Sequence, residues 1–463
     1  MVESLSQIGA WVAEKLPDLI AKYQVPAASV AILSDGDVVR TAAGILNKAS
    51  GVEATTDSVF QIGSITKVWT TSLVMQLVDE GLVDLEAPVR HYVKDFVIAD
   101  EAAAAKITVR QLLSHLSGFE GDIFTATTEG EDAVEKFMPI LADVPQLFEP
   151  GEMFSYNNAA FSVLGRIVEV VRGKHYEACL REYLIDPLQL KHAATGAGEA
   201  IMFRAALGHI SPTEDADPEP AQVWSLVRSN APAGSVFAMS AGNLIAFAKM
   251  HIDGGVGPDG KQILSAESVA AMQEQQVKLP ELGLMGDGWG LGWELFNWEG
   301  GPVIGHDGGT IGQSAFLRVI PGQKAAIAVL TNGGDVIGLY KELISPVINR
   351  LTGIVVPELP TPANDVHAID ASRYVGIYGS QVADSHVTQD TEGRIWIEQK
   401  MKGVFAELGP ERPPVELVHW TGDTLIPRKA RNGIHTPHAF VGNDGNGNAL
   451  YLHTGRADRR VSA

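Results

Sequence analysis

The chain has 463 residues, 35 Lys and Arg against 56 Asp and Glu, a formal net charge of −21 and a single cysteine. This length exceeds the roughly 250–300 residues at which single cores stop growing, so at least two folded units are expected, and the 45% hydrophobic content excludes a disordered chain. The acidic balance excludes nucleic acid and anionic membrane surfaces as partners, and the lone Cys179 excludes an internal disulfide framework.

In chain order, Leu5, Ile8, Trp11, Val12, Leu16 and Leu19 recur at three- and four-residue steps and predict a first helix. Acidic residues interrupt this segment, so it does not read as a signal peptide, and no run approaches the roughly 18 apolar residues of a membrane span. A soluble, cytoplasmic protein in a reducing compartment is expected. ASVAILSDG and DVVRTAAGIL flank the turn Ser34-Asp35-Gly36-Asp37 and predict a β-hairpin. A core helix is expected from Ser64 to Gly81. From about 85 to 285 the periods read as mostly helical, with candidates at 158–172, 175–184, 240–252 and 264–275. Strand patterns return at GWGLGWELF, PVIGHDG, QSAFLRVI and AAIAVLTN, and VIGLYKELISPVINRL reads as a closing helix. Residues 1–354 thus predict one α+β domain whose sheet is assembled from both ends of the segment. The Pro-rich stretch 355–366 reads as a linker. Beyond it, 367–463 holds short alternating runs, SRYVGIYGS, HVTQD, RIWIEQK, PVELVHW, TLIPR, HAFVGN and ALYLHTG, that predict a small antiparallel β-barrel.

Three stretches hold residue types suited to chemistry. In Ser64-Ile65-Thr66-Lys67 a serine and a lysine three positions apart share a helix face, so the amine can reach the hydroxyl, and burial beside a helix N-terminus lowers its pKa. Taken alone, the tetrapeptide more often describes an N-cap serine with a surface lysine. Tyr156-x-Asn158, just before a helix, offers a phenol to move protons and an amide to hold a carbonyl, or else a turn with an Asn cap. Gly305-His306-Asp307-Gly308-Gly309 lets a substrate approach the backbone, where the Gly309 N–H can join the Ser64 N–H in an oxyanion hole; the plainer reading is a histidine in a hairpin turn.

In this order, S-x-x-K, Y-x-N and H-x-G resemble the penicillin-recognising serine hydrolases, the superfamily of class C β-lactamases and D-alanyl-D-alanine carboxypeptidases. The resemblance runs from about 5 to 353 and includes ITVRQLLSHLSG, FEPGEMFSYNN, APAGSVFAMSAGNLIAF and GLGW. It implies a β-lactamase/transpeptidase-like domain, with Ser64 as nucleophile, Lys67 as base, Tyr156 as acid/base partner, Asn158 as substrate ligand, His306 in the third motif, and Gly308 and Gly309 lining the oxyanion site. His306 departs from the Lys-Thr-Gly of class C β-lactamases and resembles the H-x-G of family esterases and peptidases, which argues against strong β-lactamase activity. The tail is similar to the lipocalin-like domain that some of these hydrolases append, among them the penicillin-binding-protein-type thioesterases that release and cyclise nonribosomal peptides. The implied function is a serine hydrolase or acyltransferase on an ester, amide or peptide carbonyl. The alternatives are a peptide cyclase fed by a thioester-activated, carrier-derived peptide, and a non-catalytic penicillin-binding sensor. The substrate expected is a small-molecule or peptide acyl compound, with no metal and no organic cofactor. All these positions fall before 355, so the site is expected to need only the first unit.

Other signals carry less. An acidic loop after the SGF turn, Asp122 with Glu129, Glu131 and Asp132, can attract a substrate amine or simply be solvated. GNDGNGN fails the calcium-loop pattern at its Gly and Glu positions and reads as a tight turn. His435 and His438 lack a third metal partner. His115 reads as a turn residue, His209 as a cleft candidate, Cys179 as core, and Trp289 with Trp293 as one strand face.

Overall fold

The computed structural model describes residues 3–213, 216–283, 285–364, 369–402, 413–431 and 433–462, so the last two residues of the expected linker and the first two of the tail lie outside the described residues. Helix α1 (Leu5–Lys22) starts at a reciprocal cap: the Ser4 hydroxyl accepts the Gln7 N–H while the Gln7 side chain accepts the Ser4 N–H. It buries Ile8, Val12, Leu16 and Ile20 on one face of a nine-stranded sheet, joined there by residues of 339–354. Trp11, expected in that stripe, is half-buried beneath the Arg350 guanidinium instead.

The strands are β1 (Ala27–Ser34), β2 (Asp37–Asn47), β3 (Val52–Glu53), β4 (Val277–Lys278), β5 (Gly288–Trp289), β6 (Glu294–Trp298), β7 (Gly301–Gly309), β8 (Ser314–Ile320) and β9 (Ala325–Thr331). Their spatial order is β3-β2-β1-β9-β8-β7-β6-β5-β4. Every described residue from Ala28 to Ser34 pairs antiparallel with β9, so the N-terminal hairpin and the late strands form one sheet, as the pattern predicts. The second face carries the larger core, built around α2 (Thr66–Asp79), α3 (Asn158–Arg172) and the helix Ala241–Ile252.

Two expectations are corrected. The helix expected from Ser64 begins at Thr66, because Gly63–Ile65 forms a separate tight turn with Gly63 at φ 52°. The middle region is less helical than its periods suggest. Helices do stand at 158–172, 176–180, 241–252 and 266–273, yet much of the rest is loop, short tight turns and two-residue strands. Proline is one reason, since Pro139 sits inside the 3₁₀ stretch Glu135–Asp143; the helix expected over 175–184 stands, α-helical over Tyr176–Leu180 and wound more widely over Arg181–Ile185 before it ends at Pro187.

The tail forms a closed, all-antiparallel barrel of eight strands: β10 (Gly376–Gly379), β11 (Ala383–Gln389), β12 (Ile395–Met401), β13 (Val415–Thr421), β14 (Thr424–Pro427), β15 (His438–Val441), β16 (Tyr451–His453) and β17 (Ala457–Ser462). Seven match the alternating runs. The eighth, ADRRVS, lacks the alternation and is held by pairing with β10 and by Arg460, which donates to Ala449 O, Val375 O, Arg373 O and the Tyr378 hydroxyl. Side chains including Tyr378, Val387, Ile397, Leu417, Leu425 and Phe440 fill its core. The first unit is therefore α+β and the tail a small antiparallel barrel, as the sequence predicts.

Candidate active site

Helix α2 is buried on every side from Thr66 to Leu77, its Thr and Ser hydroxyls included, so it runs through the core and takes Lys67 with it. The Lys67 amine is fully buried, 3.1 Å from Ser64 Oγ, 2.7 Å from Asn158 Oδ1 and 2.7 Å from Ala233 O. Burial, reinforced by the Arg456 charge, pushes its pKa well below the usual lysine range. A neutral amine has two N–H groups and one lone pair. Asn158 Oδ1 and Ala233 O can only accept, so the lone pair is left for the Ser64 hydroxyl. The plain reading of this motif, a surface lysine, is excluded by the burial.

The second motif divides its labour. Asn157 is the cap: its side chain accepts the Ala160 N–H at 2.7 Å. That frees Asn158, the first residue of α3, to face Lys67 and to donate to Asp122 Oδ1 at 2.8 Å. Tyr156 is buried with its ring 4.7 Å from Lys67 Nζ; burial drives its phenol upward while Ser64, a hydrogen-bonding neighbour, opposes the rise. His115 holds this segment. Its backbone O accepts the Ser155 N–H, its Nδ1 accepts the Asn157 N–H, both at 2.9 Å, and its ring lies 4.4 Å from that of Tyr156. It does so from a left-handed backbone at φ 58°.

The third motif lies in a strand and not in a turn. β7 runs through His306 to Gly309 and packs on the Gly63–Ile65 turn so closely that a Cβ at Gly308 would stand 1.9 Å from Ile62 O and 3.1 Å from Ser64 N. A Cβ at Gly63 would likewise meet Gly309 N at 2.6 Å, so the Ser64 and Gly309 peptide groups are neighbours. His306 is buried, its Nδ1 2.7 Å from Asp307 O, with Trp289 and Tyr156 against its ring at 5.4 and 6.3 Å. Burial above all holds its pKa down at about 3, so it is neutral at pH 7.

The site does not stop at residue 354. The barrel turn between β16 and β17 lies on residues 154–156: His453 Nε2–H donates to Phe154 O at 2.8 Å, Tyr156 N–H to Gly455 O at 2.9 Å, and Ala457 N–H to Ser155 Oγ at 3.1 Å. Arg456 lies 4.9 Å from the Tyr156 ring and pairs with Asp122 at 2.7 Å. The expectation that one unit suffices is therefore corrected: Asp122, Asn158, Lys67 and Ser64 form a chain of polar contacts that ends on a barrel arginine. The acidic loop is corrected too. Asp122 belongs to this chain, whereas Asp132 pairs with Lys136 and Glu131 is an exposed residue near His175.

His209 is a structural residue: its ring accepts the Lys48 N–H at 3.1 Å and lies 3.0 Å from Asn332 O. Cys179 is buried core. Trp289 walls the cleft beside Tyr156, while Trp293 lies in the main core. Among the described residues no group of three or more His, Cys, Asp or Glu side chains is arranged to hold a metal ion, and no helix is long and apolar enough to cross a membrane. Arg456, His453 and Glu294 escaped the sequence reading; the only local signal was Gly455 at the end of the last alternating run.

A search of protein families matches residues 12–342 to Beta-lactamase. Penicillin-binding protein 4 of Amycolatopsis lactamdurans is 41% identical over 367 residues, covering 79% of this chain and 96% of that protein. Among solved structures, SurE is similar over 99% of this chain and 100% of its own, at 26% identity and a TM-score of 0.78, and SurE has also been solved with D-Leu. The D-amino acid amidase of Ochrobactrum anthropi SV3, at 21% identity and a TM-score of 0.65, shares the fold over 75% of this chain and 99% of its own. With its sheet, its buried S-x-x-K lysine and most of its length matched in this way, the chain belongs to the β-lactamase family.

Proposed function

We propose that this protein is a serine hydrolase or acyltransferase that forms an acyl-Ser64 intermediate with an ester, amide or peptide carbonyl. The observation that carries this reading is the buried Lys67 amine, whose partners leave Ser64 as its one proton donor. Lys67 takes the hydroxyl proton as Ser64 Oγ attacks the carbonyl, the oxyanion forms against the Ser64 and Gly309 N–H groups, and Tyr156 with Lys67 returns the proton to the leaving group. Water or an amine then releases the acyl group. A neutral His306 lacks the fixed charge that a lysine offers a β-lactam carboxylate, so efficient β-lactam turnover is not part of this proposal. Intact-mass detection of a covalent adduct with a fluorescent penicillin and a p-nitrophenyl ester assay test it. Both signals vanish in Ser64→Ala; an adduct and full turnover in that variant overturn it.

A second reading, transfer of a thioester-activated, carrier-derived peptidyl group to an amine of the same peptide, is favoured by the similarity to SurE across both the catalytic domain and the barrel. Mass spectrometry of products from a peptidyl thioester separates the two readings: cyclic product supports transfer, and linear acid alone refutes it.

A further inference from the structure

The two N–H groups of the oxyanion hole belong to segments far apart in the chain, Ser64 on the Gly63–Ile65 turn and Gly309 at the end of β7. Glycines set how near these segments come, since a Cβ at Gly63 would stand 2.6 Å from Gly309 N. Contact of that kind limits approach; it does not stop the segments from parting. Among the described residues no backbone hydrogen bond crosses from β7 to the turn, and the one hydrogen bond between residues 59–66 and residues 301–320 is made by a side chain: the Gln61 N–H donates to Gln313 Oε1 at 3.0 Å. Gln313 closes the connection from β7 to β8. Its carbonyl accepts the Thr310 N–H at 3.0 Å, and the next residue, Ser314, is opposite Gly309 in the register. Its Nε2 donates to Ala206 O at 3.3 Å, and the Ala206 N–H donates in turn to Val59 O at 2.9 Å. The amide thus closes a ring of contacts, Val59, Ala206, Gln313 and Gln61, both ends of which lie on the stretch leading into Ser64. The Gln61 N–H can only donate and Ala206 O can only accept, which fixes the end of the amide that faces each. Both glutamines are 1% exposed, so these bonds are made in a dry interior.

From this geometry we infer that Gln313 is a positioning residue for the oxyanion hole: its side-chain amide ties the β7–β8 hairpin to the segment that carries the nucleophile and so holds the spacing of the Ser64 and Gly309 N–H groups. It acts through the backbone that it holds. An oxyanion hole works because its donors stand in place before the charge develops, each about 2.7–3.1 Å from the same oxygen. A hairpin free to move outward lengthens the bond from Gly309 while leaving that from Ser64 unchanged. Ala206 O also accepts the Trp224 Nε1–H at 3.0 Å, so it keeps a partner if Gln313 is replaced. The group orphaned by such a change is the Gln61 N–H, three residues before the nucleophile.

The inference rests on the serine-hydrolase reading, and its test separates the two. Gln313→Met keeps the length of the side chain and removes both hydrogen bonds. Acylation by a p-nitrophenyl ester is expected to slow about 10–100-fold, with KM within about threefold of wild type. Infrared spectroscopy of an acyl-Ser64 carrying a carbon-13 carbonyl reads the hole directly: the carbonyl band moves to higher frequency in Gln313→Met as its hydrogen bonds lengthen. Gln313→Glu still accepts the Gln61 N–H and is expected to restore the rate to within about fivefold and the band to its wild-type position. A role in packing alone predicts the reverse order, with the apolar methionine tolerated and the buried acid harmful. A methionine variant with the wild-type rate and an unshifted band therefore overturns the inference and leaves the hydrolase reading intact. If that variant does not fold, Gln313→Asn, too short to bridge both partners, decides by the same band, and an unshifted band overturns the inference. If the wild type forms no adduct with an ester, a thioester or a penicillin, the hydrolase reading fails. Crystal structures of the wild type and the folded variant then decide the tie: a Ser64 N to Gly309 N separation wider by about 0.5 Å or more supports it, and an unchanged separation overturns it.

Discussion

His115 from the catalytic domain and the turn at 453–457 from the barrel grip the same short segment, Phe154–Asn157, by different means. His115 uses a left-handed backbone and one imidazole: its carbonyl and Nδ1 take two alternate N–H groups of the segment, those of Ser155 and Asn157, and its ring lies against Tyr156. The barrel uses a hairpin turn whose His453, Gly455 and Ala457 engage Phe154 O, the Tyr156 N–H and Ser155 Oγ. The difference shows that the position of Tyr156 is a joint property of the two domains. The catalytic fold fixes where the segment runs; the appended barrel completes its hydrogen bonds.

The comparison breaks most visibly on the catalytic side. His115→Ala leaves the Asn157 N–H unpaired in a dry site, opens a cavity among Phe154, Tyr156, Phe161 and Trp289, and puts an alanine at positive φ. Together these should cost about 3–5 kcal/mol, read as a drop in the denaturation midpoint along with lost acylation. On the barrel side, His453→Ala removes one anchor while Gly455 and Ala457 remain. A loss of about 2–3 kcal/mol is expected, with kcat falling more than KM rises, because the proposed chemistry depends on where Tyr156 stands. His453→Gln, which can still donate to Phe154 O, should restore most of kcat. If the alanine variant keeps wild-type kcat, the barrel is only a neighbour.

Acid separates the clamps further. His453 is buried and neutral, its pKa held down at about 4. A histidine depressed in the folded state contributes stability that is complete above its unfolded pKa of about 6.5 and is lost as the pH falls through the window down to about 4. At pH 5 this group alone should cost about 2 kcal/mol as an upper estimate. Melting curves between pH 7 and pH 5 should therefore be flatter in His453→Gln than in the wild type; in the remaining slope His115 and the other buried histidines follow the same sign, and the buried carboxyls of Glu294 and Asp458, pushed up to about 8 and about 7, oppose it.

What was legible in the sequence follows from how locally each feature is determined. The hairpin, the late strands, α3 and seven barrel strands are written in periods of two and 3.6. The order Ser64, Lys67, Tyr156, Asn158, His306 names most of the cleft. The roles of adjacent residues were not separable: nothing in Asn157-Asn158 says which amide caps the helix and which faces Lys67. Glu294 sits in GLGWELF as a strand-starting glutamate and acquires its place only because β6 and β7 pair with Gly305 opposite it. His453 and Arg456 were invisible for a further reason, since their partners lie about 300 positions earlier and are reached only when two separate domains dock. For the same reason the tail read as an appendage to a site that it helps to build.

The smallest expected effect is also the one with the most specific sign. Arg456 and Asp122 form a partly exposed pair, with side-chain exposures of 39% and 18%, so breaking it should change stability by no more than about 1 kcal/mol. Its two members nevertheless act on Lys67 in opposite directions: the guanidinium lowers the amine's pKa and the carboxylate raises it. In the proposed mechanism acylation uses the neutral amine, so its rate is expected to rise with pH through that pKa. Arg456→Ala removes the lowering charge and should move the acid limb of the acylation rate to higher pH; Asp122→Asn should move it to lower pH. Each shift is expected to be about 0.3–0.5 pH unit at low ionic strength and to shrink as salt screens it. The double variant should return close to the wild-type limb. Stopped-flow acylation at two salt concentrations measures all three, and two single variants that shift the limb in the same direction would show that the barrel arginine acts on Tyr156 alone and not on the charge of Lys67.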